Sequence, residues 1–298
     1  MSIDNNGGSP IANALTVDVE DYFQVSAFEN SVSRSDWDNF PLRVERNTHR
    51  LLELFDKHSV KATFFTLGWV ANKVPNLVSA IADCGHEVAC HGYSHKLIYN
   101  QSKKEFTEET IRAKSLLEDI SGKAVTGYRA ASYSITQDSL WALEVLAEAG
   151  FEYDSSIFPV VHDRYGLPGS PKNIYYFKTK SGRKLIEYPL TTAKIGPVTL
   201  PMAGGGYFRL YPYWFTFFNL SRVNKKEHKP FIFYLHPWEI DTQQPRIKAS
   251  LLSKFRHYNN LGKCESRLEE LLCSFKFTTV RKVLSNQQDI PYYSFAEV

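Results

Sequence analysis

The chain has 298 residues, a length at which an α/β barrel often forms one domain. Hydrophobic residues at 43% and charged residues at 22% are ordinary globular usage, which excludes a disordered or fibrous chain. Thirty-five Lys and Arg against 32 Asp and Glu leave +3, too little for an electrostatic nucleic-acid footprint.

In chain order, an apolar run over Ala14–Val19 predicts a buried strand, and Leu51, Leu54 and Phe55 share one face of a helix. Ala62–Leu67 is rich in strand formers, and a second helix follows Pro75 and stops near Gly85. Glu87–Cys90 predicts a third strand, Thr107–Ser121 a helix stopped by Gly122, and Gly127–Ala130 a fourth strand. Asp138–Ala149 reads as a helix closed by Gly150, with Phe151–Asp154 a fifth strand. Tyr175–Lys180 and Lys184–Tyr188 flank Ser181-Gly182 as a hairpin, and Phe231–Leu235 is a late apolar strand. Strand and helix in alternation predict parallel β/α packing, either a barrel or a doubly wound sheet. From about Thr242 the tail is charged and helical, with Leu268, Leu271 and Leu272 as its apolar stripe and no linker before it.

Cys84, Cys90, Cys264 and Cys273 lack zinc-finger spacing and read as buried thiols of a reducing compartment. Met1 to Ala14 is polar, without the charged and apolar regions of a signal peptide, so a cytoplasmic location is expected. The most apolar window, Tyr211–Leu220, is too short to span a bilayer. Its aromatic run is expected to be helix core; exposed, it could meet a lipid carrier at a membrane surface.

Strand alternation turns Asp18 and Glu20 the same way, with Asp21 just beyond. Three carboxylates in four residues repel one another unless a cation or an arginine joins them. His91 and His95 lie on one face if their segment is helical, which suits a divalent metal. About 0.3 such pairs arise by chance at this composition, so the position at a strand end is what lifts the pair. Arg129, Asp154 and His236 also stand at strand ends. Singly they read as a structural counter-ion, a helix cap and a core histidine. In a parallel barrel the strands' carboxyl ends open onto one face, where catalytic groups gather.

Val-Asp-Val-Glu-Asp-Tyr-Phe (17–23), His-Gly-Tyr-Ser-His (91–95), Asp-Ser-Ser-Ile-Phe-Pro (154–159), Gly-Gly-Gly-Tyr-Phe-Arg (204–209) and His-Pro-Trp-Glu (236–239) occur in that order. Together they resemble the polysaccharide deacetylase family, the NodB-homology or carbohydrate esterase 4 group. They look most like its subgroup from bacterial exopolysaccharide biosynthesis loci. The resemblance covers about Leu15 to Asp241. It implies a distorted (β/α) barrel over residues 1–241, with a helical carboxy-terminal extension, 242–298, packed on the same domain. It further implies a metal-dependent hydrolase that removes N-acetyl groups from an amino sugar in a polysaccharide or its lipid-linked precursor. By position, Asp18 matches the catalytic base and Arg129 the arginine that orients it. His236 matches the histidine that protonates the leaving amine, and Asp154 sits where the family has an acidic or aromatic motif near that histidine. His91 and His95 match the metal histidines, with Zn²⁺ the first expectation among Zn²⁺, Co²⁺, Ni²⁺, Mn²⁺ and Fe²⁺.

The first motif departs from the family in having Glu20 followed by Asp21, and either completes the metal triad: register favours Glu20, the shorter arm Asp21. Ala131 stands where the family carries a proline. Gly204-Gly205-Gly206 lacks the Gly-Lys-Ser/Thr of a phosphate loop and reads as a tight turn or a backbone wall against the sugar. Tyr133, Tyr207 and Trp238 are candidates for stacking on sugar rings. Two other readings compete: an allantoinase-like cyclic-amide hydrolase, some relatives of which need no metal, and a non-catalytic sugar-binding scaffold. The intact His91/His95 pair speaks against the first, and Asp18 with His236 against the second.

Overall fold

The computed structural model describes residues 11–295, so most of the polar amino-terminal stretch lies outside the described residues. The chain begins with β1 (Ala12–Val19), then α1 (Val44–Lys57), β2 (Thr63–Thr66), α2 (Gly68–Lys73), α3 (Pro75–Asp83) and β3 (Glu87–Cys90). There follow α4 (Lys103–Ser121), β4 (Gly127–Tyr128), α5 (Trp141–Glu148), β5 (Tyr153–Asp154), the hairpin β6 (Tyr175–Lys178) and β7 (Lys184–Glu187), and a second hairpin, β8 (Thr192–Ile195) and β9 (Val198–Pro201). Next come α6 (Gly205–Leu210), α7 (Tyr213–Lys226) and β10 (Ile232–Leu235). The last elements are α8 (Leu251–Tyr258), α9 (Leu261–Ser274), β11 (Lys276–Thr278), α10 (Val280–Ser285) and β12 (Tyr292–Tyr293).

The main sheet runs β10-β1-β2-β3-β4-β5-β7-β6-β12, and only the β6–β7 pairing is antiparallel. β11 adds to the start of β1, pairing Ala12–Ala14 with Lys276–Thr278. β1 is thus held by β10, β2 and β11 together and is buried almost throughout. The hydrogen-bonded path has two ends, at β10 and β12, rather than a closed ring. The β10 edge is tied instead by a bridge from Gly204 to Tyr234 and by the Thr191 hydroxyl bonded to Ile232.

Alternation along the strands divides the core and aims the site. Leu15, Val17 and Val19 of β1 pack outward with Leu51 and Phe55 of α1. Ala14 turns the other way, into an inner cluster with Phe65, Ala89, Tyr153, Ile232 and Tyr234. Two-residue periodicity therefore puts Thr16 and Asp18 on the inner face, and His91 follows Ala89 onto it from β3. Each of the buried Val, Leu, Ile and Phe side chains contributes about 1.5–3 kcal/mol.

The predicted α/β class and parallel packing are present, and the elements fall where the pattern placed them, with shorter strands at β4 and β5. α4 starts at Lys103, earlier than predicted, because Ser102 and Glu105 form a reciprocal capping box. The tail is helical but also contributes β11 and β12, too short to give a periodic signal. The cysteines are four free thiols, of which Cys90 and Cys264 are buried whereas Cys84 and Cys273 are exposed, contrary to expectation. In the aromatic run, Tyr211, Tyr213 and Phe215 pack on the core, but Trp214, Phe217 and Phe218 are exposed.

Candidate active site

The inner-face residues converge just beyond the carboxyl ends of β1, β3, β4 and β10, on a cavity of about 410 Å³ lined by Asp18, Glu20, His91, His95, Tyr133, Tyr207, His236 and Trp238 among others. Glu20, His91 and His95 form a buried cluster with one ligand-capable atom from each within 4.8 Å of the others. The histidines do not share a helix face: His91 follows β3, and a loop through Gly92 (φ 75°) swings His95, itself left-handed at φ 52°, back beside it. His91 Nδ1 lies 2.8 Å from the Arg129 carbonyl and donates to it, leaving Nε2 with its lone pair. Burial pushes His91 down to about 4, so its ring is neutral. His95 Nε2 lies 2.8 Å from Glu20 Oε2, a buried oxygen that no donor is aligned on. Two imidazoles facing a buried carboxylate oxygen are a donor set that fits a divalent cation.

Asp21 is not part of that cluster. Its carboxylate accepts from the backbone N–H groups of Tyr22, Arg43 and Val44, at 2.9, 2.7 and 2.9 Å. Burial nonetheless outweighs these bonds and raises it to about 6. Of the two candidates left open by the sequence, the structure brings Glu20 to the histidines.

Asp18 Oδ1 accepts from Arg129 Nη1 at 2.7 Å, and Oδ2 from the Tyr133 hydroxyl at 3.3 Å. Arg129 is wholly buried and fixed in turn by Thr16 Oγ1 and by the Ser155 carbonyl and hydroxyl, with its guanidinium 4.1 Å from the Phe65 ring centre. Ser132 and Tyr133, just after the missing proline, both have positive φ (49° and 56°), a strained turn that carries the Tyr133 hydroxyl onto Asp18.

His236 stands opposite, with Nε2 3.9 Å from Asp18 Oδ2 and 3.5 Å from Glu20 Oε1. Its Nδ1 is 2.8 Å from Glu239 Oε1, and Glu239 Oε2 accepts from the buried Arg209. Burial works against a charged imidazole, but the carboxylates of Glu20, Glu239 and Asp18 together raise His236 to about 9. Burial likewise opposes ionisation of Glu239, yet Arg209 and His236 bring it down to about 2. Glu239 and Arg209 sit within the quoted motifs without an expected role. The readable signal was the spacing His236-x-x-Glu239, which a 3₁₀ turn at 237–240 folds into contact.

Asp154 lies outside the cavity lining. It ends β5 directly opposite Glu187 of β7 and accepts from the Ser156 hydroxyl at 2.6 Å. The stacking candidates divide as well. Trp238 has both faces covered, by His236 at 5.0 Å and His257 at 4.1 Å, and spends its indole N–H on Glu20. Tyr133 is buried, whereas Tyr207 presents a half-buried ring to the cavity. The triple glycine serves a close approach: a Cβ on Gly204 (φ 124°) would stand 2.0 Å from the Tyr234 carbonyl oxygen.

The fold and the cavity define an α/β protein whose ionisable groups gather on the carboxyl rim of a largely parallel sheet. Residues 31–153 match the polysaccharide deacetylase family, and residues 155–285 match a domain of unknown function, DUF3473. A peptidoglycan deacetylase of Helicobacter pylori is 35% identical over 141 residues, 47% of this chain and 44% of that one. The amino-terminal part of the chain thus matches the polysaccharide deacetylase family, and the chain spans less than half the length of this curated relative. Among solved structures, a Mycobacterium smegmatis protein assigned as a polysaccharide deacetylase superposes with a TM-score of 0.62 at 17% identity, over 98% of this chain and 99% of that one. An allantoinase superposes with 0.59 at 14% identity, over 95% of each chain. Both show the fold.

Proposed function

We propose that the chain is a metal-dependent hydrolase that removes the N-acetyl group from an amino sugar in a polysaccharide or its lipid-linked precursor, in exopolysaccharide or cell-envelope biosynthesis. The observation that carries this reading is the meeting, in one cavity, of an arginine-held Asp18 and a glutamate-paired His236 across the Glu20/His91/His95 cluster. Glu20, His91 and His95 would hold the cation, with Zn²⁺ first among the candidates. Bound there, it lowers the pKa of a water and takes up charge that develops on the acetyl oxygen. Arg129 occupies Oδ1 of Asp18 and leaves Oδ2, steadied by Tyr133, to accept the proton of the attacking water. Glu239 fixes Nδ1 of His236, so Nε2 delivers a proton to the departing sugar amine, which leaves poorly without one. Tyr207 offers its ring to the sugar.

Residues 1–241 form the catalytic unit in this proposal and 242–298 its packed extension, supported by β11 completing β1. Four free thiols, two of them exposed, fit a cytoplasmic setting, and among the described residues no helix is long and apolar enough to cross a membrane. The test is acetate release from N-acetylglucosamine oligomers, with and without chelator, beside Asp18→Asn. Release that requires both the metal and Asp18 supports the proposal. Ring opening of allantoin without acetate release would favour the cyclic-amide reading, and metal binding with neither reaction would sink both.

A further inference from the structure

Around the cavity mouth, large apolar side chains face solvent where a soluble sugar site has no use for them. Leu252 and Phe255 of α8 line the cavity yet are 58% and 54% exposed. Leu251 beside them is 86% exposed, and Val161, next to the lining residue His162, is 87% exposed. Leu210 completes the ring from α6. Arg256 Nη1 reaches Asp163 Oδ2 at 3.8 Å, so α8 and the 161–164 loop form one rim.

The charge on this rim is predominantly positive. Between Pro245 and Lys263 the chain carries Arg246, Lys248, Lys254, Arg256 and Lys263 and no Asp or Glu. Arg246, Lys248, Lys254 and Arg256 are all exposed, beside Leu251, Leu252 and Phe255. Arg164 adds a further cation to the lining, and Asp163 is the rim's acid, already engaged by Arg256. Protruding leucines and a phenylalanine among cations that outnumber the rim's acid match an anionic bilayer, whose headgroups attract the cations while the apolar tips enter the acyl boundary. A sugar polymer in water offers such tips nothing to bury against, and a second copy of the chain would bring the same positive charge to the contact.

We propose that α8 and the 161–164 loop dock the cavity mouth on an anionic membrane surface, presenting the site to a glycan held there by a lipid anchor. That the glycan is an N-acetylated sugar rests on the deacetylase reading; the docking face does not. The test is co-sedimentation of the full chain with vesicles of phosphatidylcholine alone or mixed with phosphatidylglycerol. Binding to the mixed vesicles, weakened by salt and reduced about tenfold or more in Val161→Asp/Leu251→Asp, is expected. Ile111→Asp, an exposed apolar position on α4, serves as the control and is expected to bind like the parent. Both altered residues lie outside the cavity lining, so acetate release from short soluble oligomers should be unchanged in the double variant. No binding to anionic vesicles, or equal binding by parent and double variant, overturns the docking face. A parent dimer by light scattering that Leu251→Asp converts to monomer would overturn it in favour of a second copy. Vesicle binding with no acetate from any oligomer would instead sink the deacetylase reading and leave the docking face standing.

Discussion

Glu239 holds His236 at Nδ1 with one carboxylate oxygen and a wholly buried Arg209 with the other. Asp154, the acid expected to lie near this histidine, is instead committed to Ser156 and Glu187. Glu239→Gln should therefore lower kcat for acetate release about 10–100-fold with little change in KM, since the amide keeps one acceptor oxygen for two donors, His236 and Arg209, without touching the cavity wall. An unchanged kcat would show that His236 needs no partner.

Glu20 and Asp21 should separate cleanly. Glu20→Gln removes the carboxylate facing His95 and should abolish divalent-ion binding in a titration followed by calorimetry. Asp21→Asn should leave that binding in place but cost about 1–3 kcal/mol of stability, because an amide nitrogen then faces backbone donors that the carboxylate satisfied. Loss of ion binding in Asp21→Asn with intact binding in Glu20→Gln would reverse the assignment.

The buried pair Asp154–Glu187 gives the fold a pH dependence of its own. Burial first, and then Asp154, drives Glu187 well above the ordinary carboxyl range, and Glu187 Oε2 has no donor aligned on it. A proton on Glu187 supplies the bond to Asp154. A raised folded pKa means stability that is complete below the unfolded value near 4.5 and is lost as pH rises through the folded one. Glu187→Gln carries a permanent donor, so its melting temperature should gain on the parent as pH rises from mildly acidic to alkaline. Parallel curves would mean that the pair does not share a proton.

Gly204 is the glycine with least room. Gly204→Ala should cost about 2–4 kcal/mol, from a positive φ and a Cβ driven against the β10 backbone. Gly196→Ala, with a positive φ but nothing within 4 Å, should cost about 1–2 kcal/mol. Equal losses in chemical denaturation would remove the close approach from the explanation.

The inner-face placement of Asp18 was legible because a parallel strand buried on both sides has a strict two-residue period, and β1 is long enough to display it. The meeting of His91 with His95 was not legible as drawn, since the loop that joins them depends on left-handed residues, one of them His95 itself. Glu239 was hidden for a related reason: its contact with His236 is made by a single 3₁₀ turn, which leaves no periodic trace. The division of duty between Glu20 and Asp21 needed the approach of Arg43 and Val44, more than twenty residues away. Trp238 looked free because nothing in the local sequence announces His257 stacking on it from α8.

β1 carries Asp18 and ends one residue before Glu20, yet two of its neighbours, β10 and β11, are made more than two hundred residues after it. During synthesis this strand must wait, half-paired beside β2, until more than two hundred further residues have emerged. The nascent chain therefore cannot bring Asp18 and His236 together before translation has passed β10, and a ribosome-stalled fragment ending before Ile232 should hold β1 as an exposed, protease-sensitive edge.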